Sequence, residues 1–103
     1  MKKHSVTITV NQEGKFSYDN PMIWVDAGDS VTWKSPKNPI FAVHLGWDSP
    51  LDKGRYHSST GEIKASVLDS AQPGYFRYSV AVFDGKNIWT GDPEIIVKRP
   101  PRE

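Results

Sequence analysis

Residues 75–85 read YFRYSVAVFDG, and this stretch decides the fold class. Its larger apolar side chains recur at every second position, which is the period of a half-buried β-strand. The alternation assigns to the core face Phe76, Tyr78, Val80 and Val82. Asp84-Gly85 follows at once and predicts a hairpin with a two-residue type I′ turn. The stretch therefore predicts a core strand of an antiparallel sheet.

The same period of two recurs along the chain, and no segment holds the 3.6-residue period of a helix. The predicted strands lie at 6–10, 22–25, 30–34, 40–45, 62–67, 75–82, 87–89 and 94–97, with a short edge piece at 15–18. Residues 46–61 form the longest predicted irregular stretch, and loops of that length often carry function. The pattern predicts an all-β fold, a Greek-key β-sandwich of seven to eight mostly antiparallel strands.

Length and composition predict one domain over residues 1–103, with a core at about 5–97 and a C-terminal tail at 98–103. The net charge is +1 without a basic stripe, so no nucleic-acid partner is expected. No run of eighteen apolar residues exists, so no membrane-spanning helix is expected. Taken as it stands, the chain is expected in the cytoplasm. If Met1 replaces a removed leader, a periplasmic or secreted location is expected instead.

Two segments together resemble the cupredoxin family. Residues 23–33, IWVDAGDSVTW, look like its hydrophobic, Gly-Asp, Val-x-aromatic signature. Residues 73–80, PGYFRYSV, look like the turn and aromatic strand that lead into its copper-binding loop, and 95–97 resemble its closing strand. The matches extend over residues 5–97, so the resemblance implies a cupredoxin-like sandwich for nearly the whole chain.

Cupredoxins hold copper with two histidines, one cysteine and usually a weak axial methionine. The resemblance places these ligands at Val80 (cysteine), Phe83 and either Ile40 or Phe41 (histidines), and near Trp89 or Thr90 (methionine). None of these side chains suits copper, and the sequence contains no cysteine at all. The resemblance therefore implies a cupredoxin-like domain without a cofactor and without a disulfide, which cannot be a blue-copper electron carrier.

Aromatic side chains give the main indication of function in this sequence. Four of them, by their alternation with polar neighbours, are predicted to be core: Trp24, Trp33, Phe76 and Tyr78.

The other candidates lie in predicted loops or in the hairpin, and we expect them to gather at the former copper end. They are Trp47, Tyr56, Phe83 and Trp89, with His44 nearby. Exposed together, they would form one apolar patch that binds a protein or small-molecule partner, because rigid rings give large contact area at low entropy cost. The alternative is that these rings stay buried and fill the space left by the metal. The leading interpretation is a non-enzymatic interaction module, with its oligomeric state open.

Two other functions remain as alternatives. Metal binding or carriage of copper or zinc would use His44 and His57 with an acid such as Asp48 or Asp52, although the histidine spacing matches no known ligand pattern. An enzyme is the weaker alternative, because no G-x-S-x-G elbow occurs and Asp29 is more simply explained as a turn former. The chain is therefore expected not to be an enzyme.

Overall fold

A computed structural model of the chain describes residues 1–98. The predicted tail lies outside the described residues except for Lys98, whose amide donates to the carbonyl of Val25 (2.8 Å). The described residues form eleven strands: β1 Lys3–Val10, β2 Phe16–Tyr18, β3 Met22–Val25, β4 Ser30–Lys34, β5 Phe41–His44, β6 Arg55–Ser58, β7 Glu62–Ser66, β8 Gly74–Arg77, β9 Ser79–Phe83, β10 Ile88–Gly91 and β11 Glu94–Val97. Within residues 1–98, no helix has the length and apolar character needed to cross a membrane.

The strands form three hydrogen-bonded sheets in the orders β2-β1-β4-β7, β10-β9-β5-β6 and β3-β11-β8. Among the described residues, β1 with β4 and β3 with β11 are parallel, and the other six pairings are antiparallel. The core cluster draws buried side chains from all three sheets. An all-β sandwich of mostly antiparallel strands is thereby confirmed.

One long hairpin joins the second and third sheets into a single layer, which we call the second layer; the first sheet is the first layer. Residues 74–83 on one arm lie opposite residues 88–97 on the other, and the pairing offset is the same on both sides of the middle. At its middle the Tyr78 amide donates to the Pro93 carbonyl (3.1 Å), and Pro93 has no amide proton to return. The ladder is therefore interrupted there, which divides the predicted strand at 75–82 into β8 and β9.

The strand count differs from the prediction for a second reason. The stretch 46–61, predicted to be irregular, contains β6. Its sequence RYHS has one apolar residue, Tyr56, and so gives almost no alternation to detect. Pairing with β5 along its whole length stabilises β6 instead.

The hairpin at Asp84-Gly85 is confirmed, but its predicted turn type is wrong. Type I′ requires positive φ at both central residues, and Gly85 alone has it here (φ 95°), because no non-glycine residue among those described has positive φ. The Asp84 carboxylate instead accepts the amides of Lys86 (2.8 Å) and Asn87 (2.6 Å). The turn consequently spans residues 84–87, between the paired residues Phe83 and Ile88.

Trp33 lies between the layers, where its Nε1 donates to the Tyr78 hydroxyl (3.0 Å). The core prediction is confirmed for Trp33 and Tyr78, and Phe76 is half-buried against the same cluster. It is wrong for Trp24, which is 55% exposed. Ile23 and Val25 fill the inner face of β3, so the alternation turns Trp24 outward.

Candidate interaction surface

Three of the predicted site residues lie at two ends of the β10-β9-β5-β6 sheet. His44 ends β5, and Trp47 follows it in the loop. Phe83 lies at the opposite end, where its amide donates to the Ile40 carbonyl (3.0 Å). Four residue steps, from Ile40 to His44, separate these ends by about 13 Å at roughly 3.3 Å per residue. The expected single patch of four aromatics is therefore wrong, because the chain leaves β5 at the end away from the hairpin turn.

Tyr56 is buried against the Trp33 ring, with 6.0 Å between ring centroids. Its hydroxyl donates to Asp52 Oδ1 (2.5 Å) and accepts the amide of Lys53 (3.0 Å). Burial and the Asp52 hydrogen bond hold the pKa of Tyr56 well above its ordinary value. Tyr56 thus anchors the loop after β5 from within the core and does not contribute to an exposed surface.

The Asp52 carboxylate belongs to the same hydrogen-bond network, since it also accepts a hydrogen bond from the amide of Ser66 (3.1 Å). Burial raises the pKa of Asp52, but the hydrogen bonds from Tyr56 and Ser66 lower it overall. Asp52, one of the two acids suggested for a metal site with His44, is therefore already occupied by protein donors.

Trp89 is half-buried and packs on the turn between β1 and β2. Its ring lies so close to Gly14 (φ 83°) that a Cβ on that glycine would collide with it. The indole Nε1 donates to Asp84 Oδ2 (2.8 Å). Trp89 therefore joins the first layer to the hairpin and has a packing role.

An apolar patch occupies the outer face of the second layer beside the hairpin turn. Phe83 and Ile88 are direct cross-strand partners, 37% and 71% exposed, and the adjacent Ile40 is 50% exposed. Ala42 and Ala81, also cross-strand partners, form a shallow groove beside them. We call Ile40, Phe83, Ile88 and these two alanines the hairpin patch. Sequence reasoning missed Ile40 and Ile88. The strand period did place Phe83 on the other face of its strand from Val82, and so on the outer face.

The outer face of the first sheet gives an internal comparison. Its outward positions on β1, β2, β4 and β7 are all polar: Lys3, Ser5, Thr7, Thr9, Ser17, Ser30, Thr32, Lys34, Glu62, Lys64 and Ser66. The outer face of an antiparallel sheet is ordinarily polar when water covers it. The second layer departs from this rule at the hairpin patch.

The far end of the same face carries basic and aromatic side chains, with the Asp92 carboxylate accepting a hydrogen bond from the Ser79 hydroxyl beside them (3.3 Å). His44 lies directly opposite Arg55 on one side and Ser79 on the other. The Trp47 side chain is fully exposed beside them. The amides of Leu45 and Gly46 both donate to the Gly54 carbonyl (2.7 and 3.2 Å), which extends the β5–β6 pairing and fixes the base of the loop. We call His44, Trp47 and Arg55 the basic end.

His57 also points outward, opposite Ala42, so His44 and His57 lie diagonally across two neighbouring strands. Within residues 1–98 no group of three histidine, cysteine, aspartate or glutamate side chains is placed to hold a metal ion. Of the positions that correspond to copper ligands, Ile40 and Phe83 meet at the hairpin patch. Val80 is fully buried opposite Val43.

A second exposed strip was also missed by sequence reasoning. On the outer face of β3-β11-β8, Ile96 lies between Trp24 and Tyr75 in one cross-strand row. The neighbouring row, Glu94 between Met22 and Arg77, carries charges of both signs. The signal for this strip was the inward position of Ile23 and Val25, which leaves Trp24 exposed.

Comparisons with known proteins agree with the geometry. No protein-family model and no curated protein matches the sequence. Among solved structures, a pseudoazurin from Sinorhizobium meliloti matches with a TM-score of 0.61 and 14% identity, over 97% of this chain and 76% of that one. An oxidised amicyanin variant matches with a TM-score of 0.53 and 17% identity, over 91% and 80% of the two chains. A reduced Cu(I) amicyanin variant at pH 4 also gives 0.53, with 14% identity over 91% and 82%.

At these identities the likeness concerns the fold, and it agrees with the family that residues 23–33 and 73–80 resemble. The chain therefore has a cupredoxin-like fold, with no cysteine in its sequence and no grouped metal ligands in residues 1–98.

Proposed function

We propose that this domain is a non-enzymatic interaction module that binds a protein partner through the outer face of the β10-β9-β5-β6 sheet. The observation that carries the proposal is the hairpin patch, which lies on one outer face while the other outer face is polar at every outward position. Contiguous apolar surface on a soluble domain is a common mark of a binding site.

The exposed area of the hairpin patch determines how much free energy it can contribute to binding. Complete burial of a Phe or Ile side chain is worth about 1.5–3 kcal/mol. Because Ile40, Phe83 and Ile88 are already partly covered, each adds about 1 kcal/mol on binding. About 3 kcal/mol from the patch is less than the 4–15 kcal/mol that association itself costs. The patch therefore acts as an anchor, and the rest of the face supplies further contacts.

The shifted titratable groups support binding rather than catalysis. Perturbed pKa values concentrate at catalytic sites when they face a cleft. Here Asp29, Tyr56 and Tyr78, whose pKa values are shifted, lie in the core or in a turn. Arg77 is exposed on β8. Asp52 lines a shallow groove on the first sheet, but its carboxylate already accepts hydrogen bonds from Tyr56 and Ser66. None of the shifted groups lines the groove at the hairpin patch.

A random peptide library displayed on phage, selected against the folded domain, tests the proposal. We expect selected peptides to shift the amide NMR signals of Ile40, Phe83 and Ile88. They should bind the F83S/I88T double variant at least tenfold more weakly, since both anchors are lost. Lys64→Ser, on the polar outer face, is the matched control and should leave affinity unchanged. Failure to select any saturable binder, or equal affinity for the double variant, contradicts the proposal.

Metal binding through His44 and His57 is the second candidate, supported by their diagonal placement on one face. A structural zinc site normally has four ligands, and a catalytic one three. Two imidazoles alone should therefore give no saturable histidine NMR shifts at micromolar zinc or copper. Saturable shifts that disappear in His57→Ala would favour this candidate instead.

A further inference from the structure

We infer that the partner contributes an extended segment, which pairs with the free edge of β10 and adds a fifth strand to the β10-β9-β5-β6 sheet. This inference rests on the proposed function, and it specifies how the partner binds. It comes from three features of β10: the direction of its backbone groups, its lack of charged side chains and the position of Ile88 in the hairpin patch.

The backbone of β10 presents hydrogen-bonding groups at the edge of the sheet. The Phe83 amide donates to the Ile40 carbonyl (3.0 Å), so it points towards β5 and away from β10. Phe83 and its cross-strand partner Ile88 are therefore a non-hydrogen-bonded pair. The alternation of an antiparallel ladder makes Ala81 and Thr90 another such pair. The N–H and C=O groups of Ile88 and Thr90 consequently face the edge.

These groups are available to a partner. Within residues 1–98, no backbone group outside the β9–β10 pairing bonds to Ile88 or Thr90. Both residues are exposed. An added antiparallel strand would form a pair of hydrogen bonds with each of them. Strand addition of this kind takes its affinity from the main chain and its specificity from alternate side chains.

The β10 edge also lacks the features that protect sheet edges. Natural edge strands are often blunted by charged side chains or by proline. The opposite edge of the same sheet is β6, which carries Arg55. In contrast, β10 has the sequence IWTG, with no charged side chain and no proline. Of the two edges of this sheet, β10 is therefore the one suited to a further strand.

The hairpin patch selects the side chain that the added strand places on the outer face. Residues directly opposite each other in neighbouring strands point to the same face. A partner residue opposite Ile88 therefore extends the row formed by Ile40, Phe83 and Ile88. Because Ile88 is 71% exposed, an apolar residue fits this position. The next partner residue points to the other face, beside Trp89, and the one after it returns to the outer face opposite Thr90.

Two N-methylated forms of one peptide test the inference. The probe is a peptide selected in the phage experiment, synthesised with N-methyl groups on either its odd-numbered or its even-numbered amides. Only alternate amides of an added strand face β10, and methylation removes their donors. By isothermal calorimetry we expect one form to bind at least about tenfold more weakly than the unmodified peptide, and the other to keep its affinity. Each form is the matched control for the other.

A proline substitution locates the pairing on the domain. Thr90→Pro removes an edge-facing N–H without removing a bond to β9, and edge positions of this kind tolerate proline. His57→Pro is the matched control. The Leu45 amide donates to the Gly54 carbonyl (2.7 Å), so by the same alternation the His57 amide faces the free edge of β6. We expect T90P to weaken binding of the unmodified peptide about tenfold and H57P to leave it unchanged.

The outcomes separate the inference from the proposed function. If the two methylated forms bind equally while F83S/I88T still loses affinity, the hairpin patch stands and strand addition is overturned. Wild-type affinity in T90P, with its fold checked by circular dichroism, overturns it as well. The peptide comparison uses the wild-type domain, so it decides the matter even if T90P does not fold. If no peptide is selected, both the inference and the proposed function are contradicted.

Discussion

Replacing Asp29 with asparagine should destabilise the fold in a way that depends on pH. The carboxylate is 2% exposed and accepts hydrogen bonds from the Asp26 amide (2.9 Å), the Lys2 amide (3.0 Å) and His4 Nε2 (2.8 Å). These bonds tie the start of β1 to the turn between β3 and β4. Burial raises the pKa of Asp29, but the hydrogen bonds outweigh it and lower the pKa from 3.8 to about 2.

The magnitude follows from that shift. A tenfold change in acidity corresponds to about 1.4 kcal/mol, so the ionised Asp29 contributes about 2 kcal/mol to the free energy of unfolding. Its pKa is lower in the folded state, so this contribution is complete well above pH 3.8 and is lost as pH falls towards 2. About half of it is gone near pH 3.

Urea unfolding followed by tryptophan fluorescence measures the effect at about pH 7, pH 5 and pH 3. We expect D29N to be about 2 kcal/mol less stable than the wild type at neutral pH, with the gap falling to about 1 kcal/mol near pH 3. Asp26→Asn is the control, because that carboxylate is 43% exposed and forms a surface pair with Lys98. Its removal should cost under about 1 kcal/mol. A gap for D29N that stays constant with pH refutes the assignment.

Two further substitutions test contacts that sequence reasoning did not predict. Gly14→Ala combines a positive φ with a collision against the Trp89 ring, so it should cost about 2 kcal/mol or more in urea unfolding; Gly85→Ala has positive φ but open space and should cost only about 1 kcal/mol. Equal losses would show that the ring contact contributes nothing. Tyr78→Phe leaves Trp33 Nε1 without its acceptor in the core and should cost about 1–3 kcal/mol, and an unchanged urea midpoint would contradict the buried hydrogen bond.

The proposed binding face also shows why aromatic residues in the sequence predicted the binding surface only in part. Aromatic content identified residues able to bind or to pack, but not which of these each one does. Tyr56 faces the core because Arg55 and His57, its neighbours on β6, take the outward positions. Trp89 packs on Gly14, a residue 75 positions away in sequence. Such contacts have no local signal in the sequence.

Local alternation nevertheless predicted much of the architecture. The run at 75–83 is one arm of a continuous hairpin, and its inward residues are those that the period of two assigned. The pattern was weak where a strand had one apolar residue, as in β6. It was misapplied at Trp24, whose neighbours Ile23 and Val25 are apolar and face inward. Periodicity separates the two faces of a strand reliably, since it follows from backbone geometry.

The sequence by itself determined the all-β class, the hairpin after Phe83 and the absence of a thiolate ligand for copper, because each depends on residue type or on local spacing. Only the tertiary structure decided which loop lies at which end of the sandwich and which outer face is apolar. Those features depend on strand pairing between distant residues, such as β5 with β9 and β10 with β9. The hairpin patch and the basic end therefore exist only once β5, β6, β9 and β10 have paired in register.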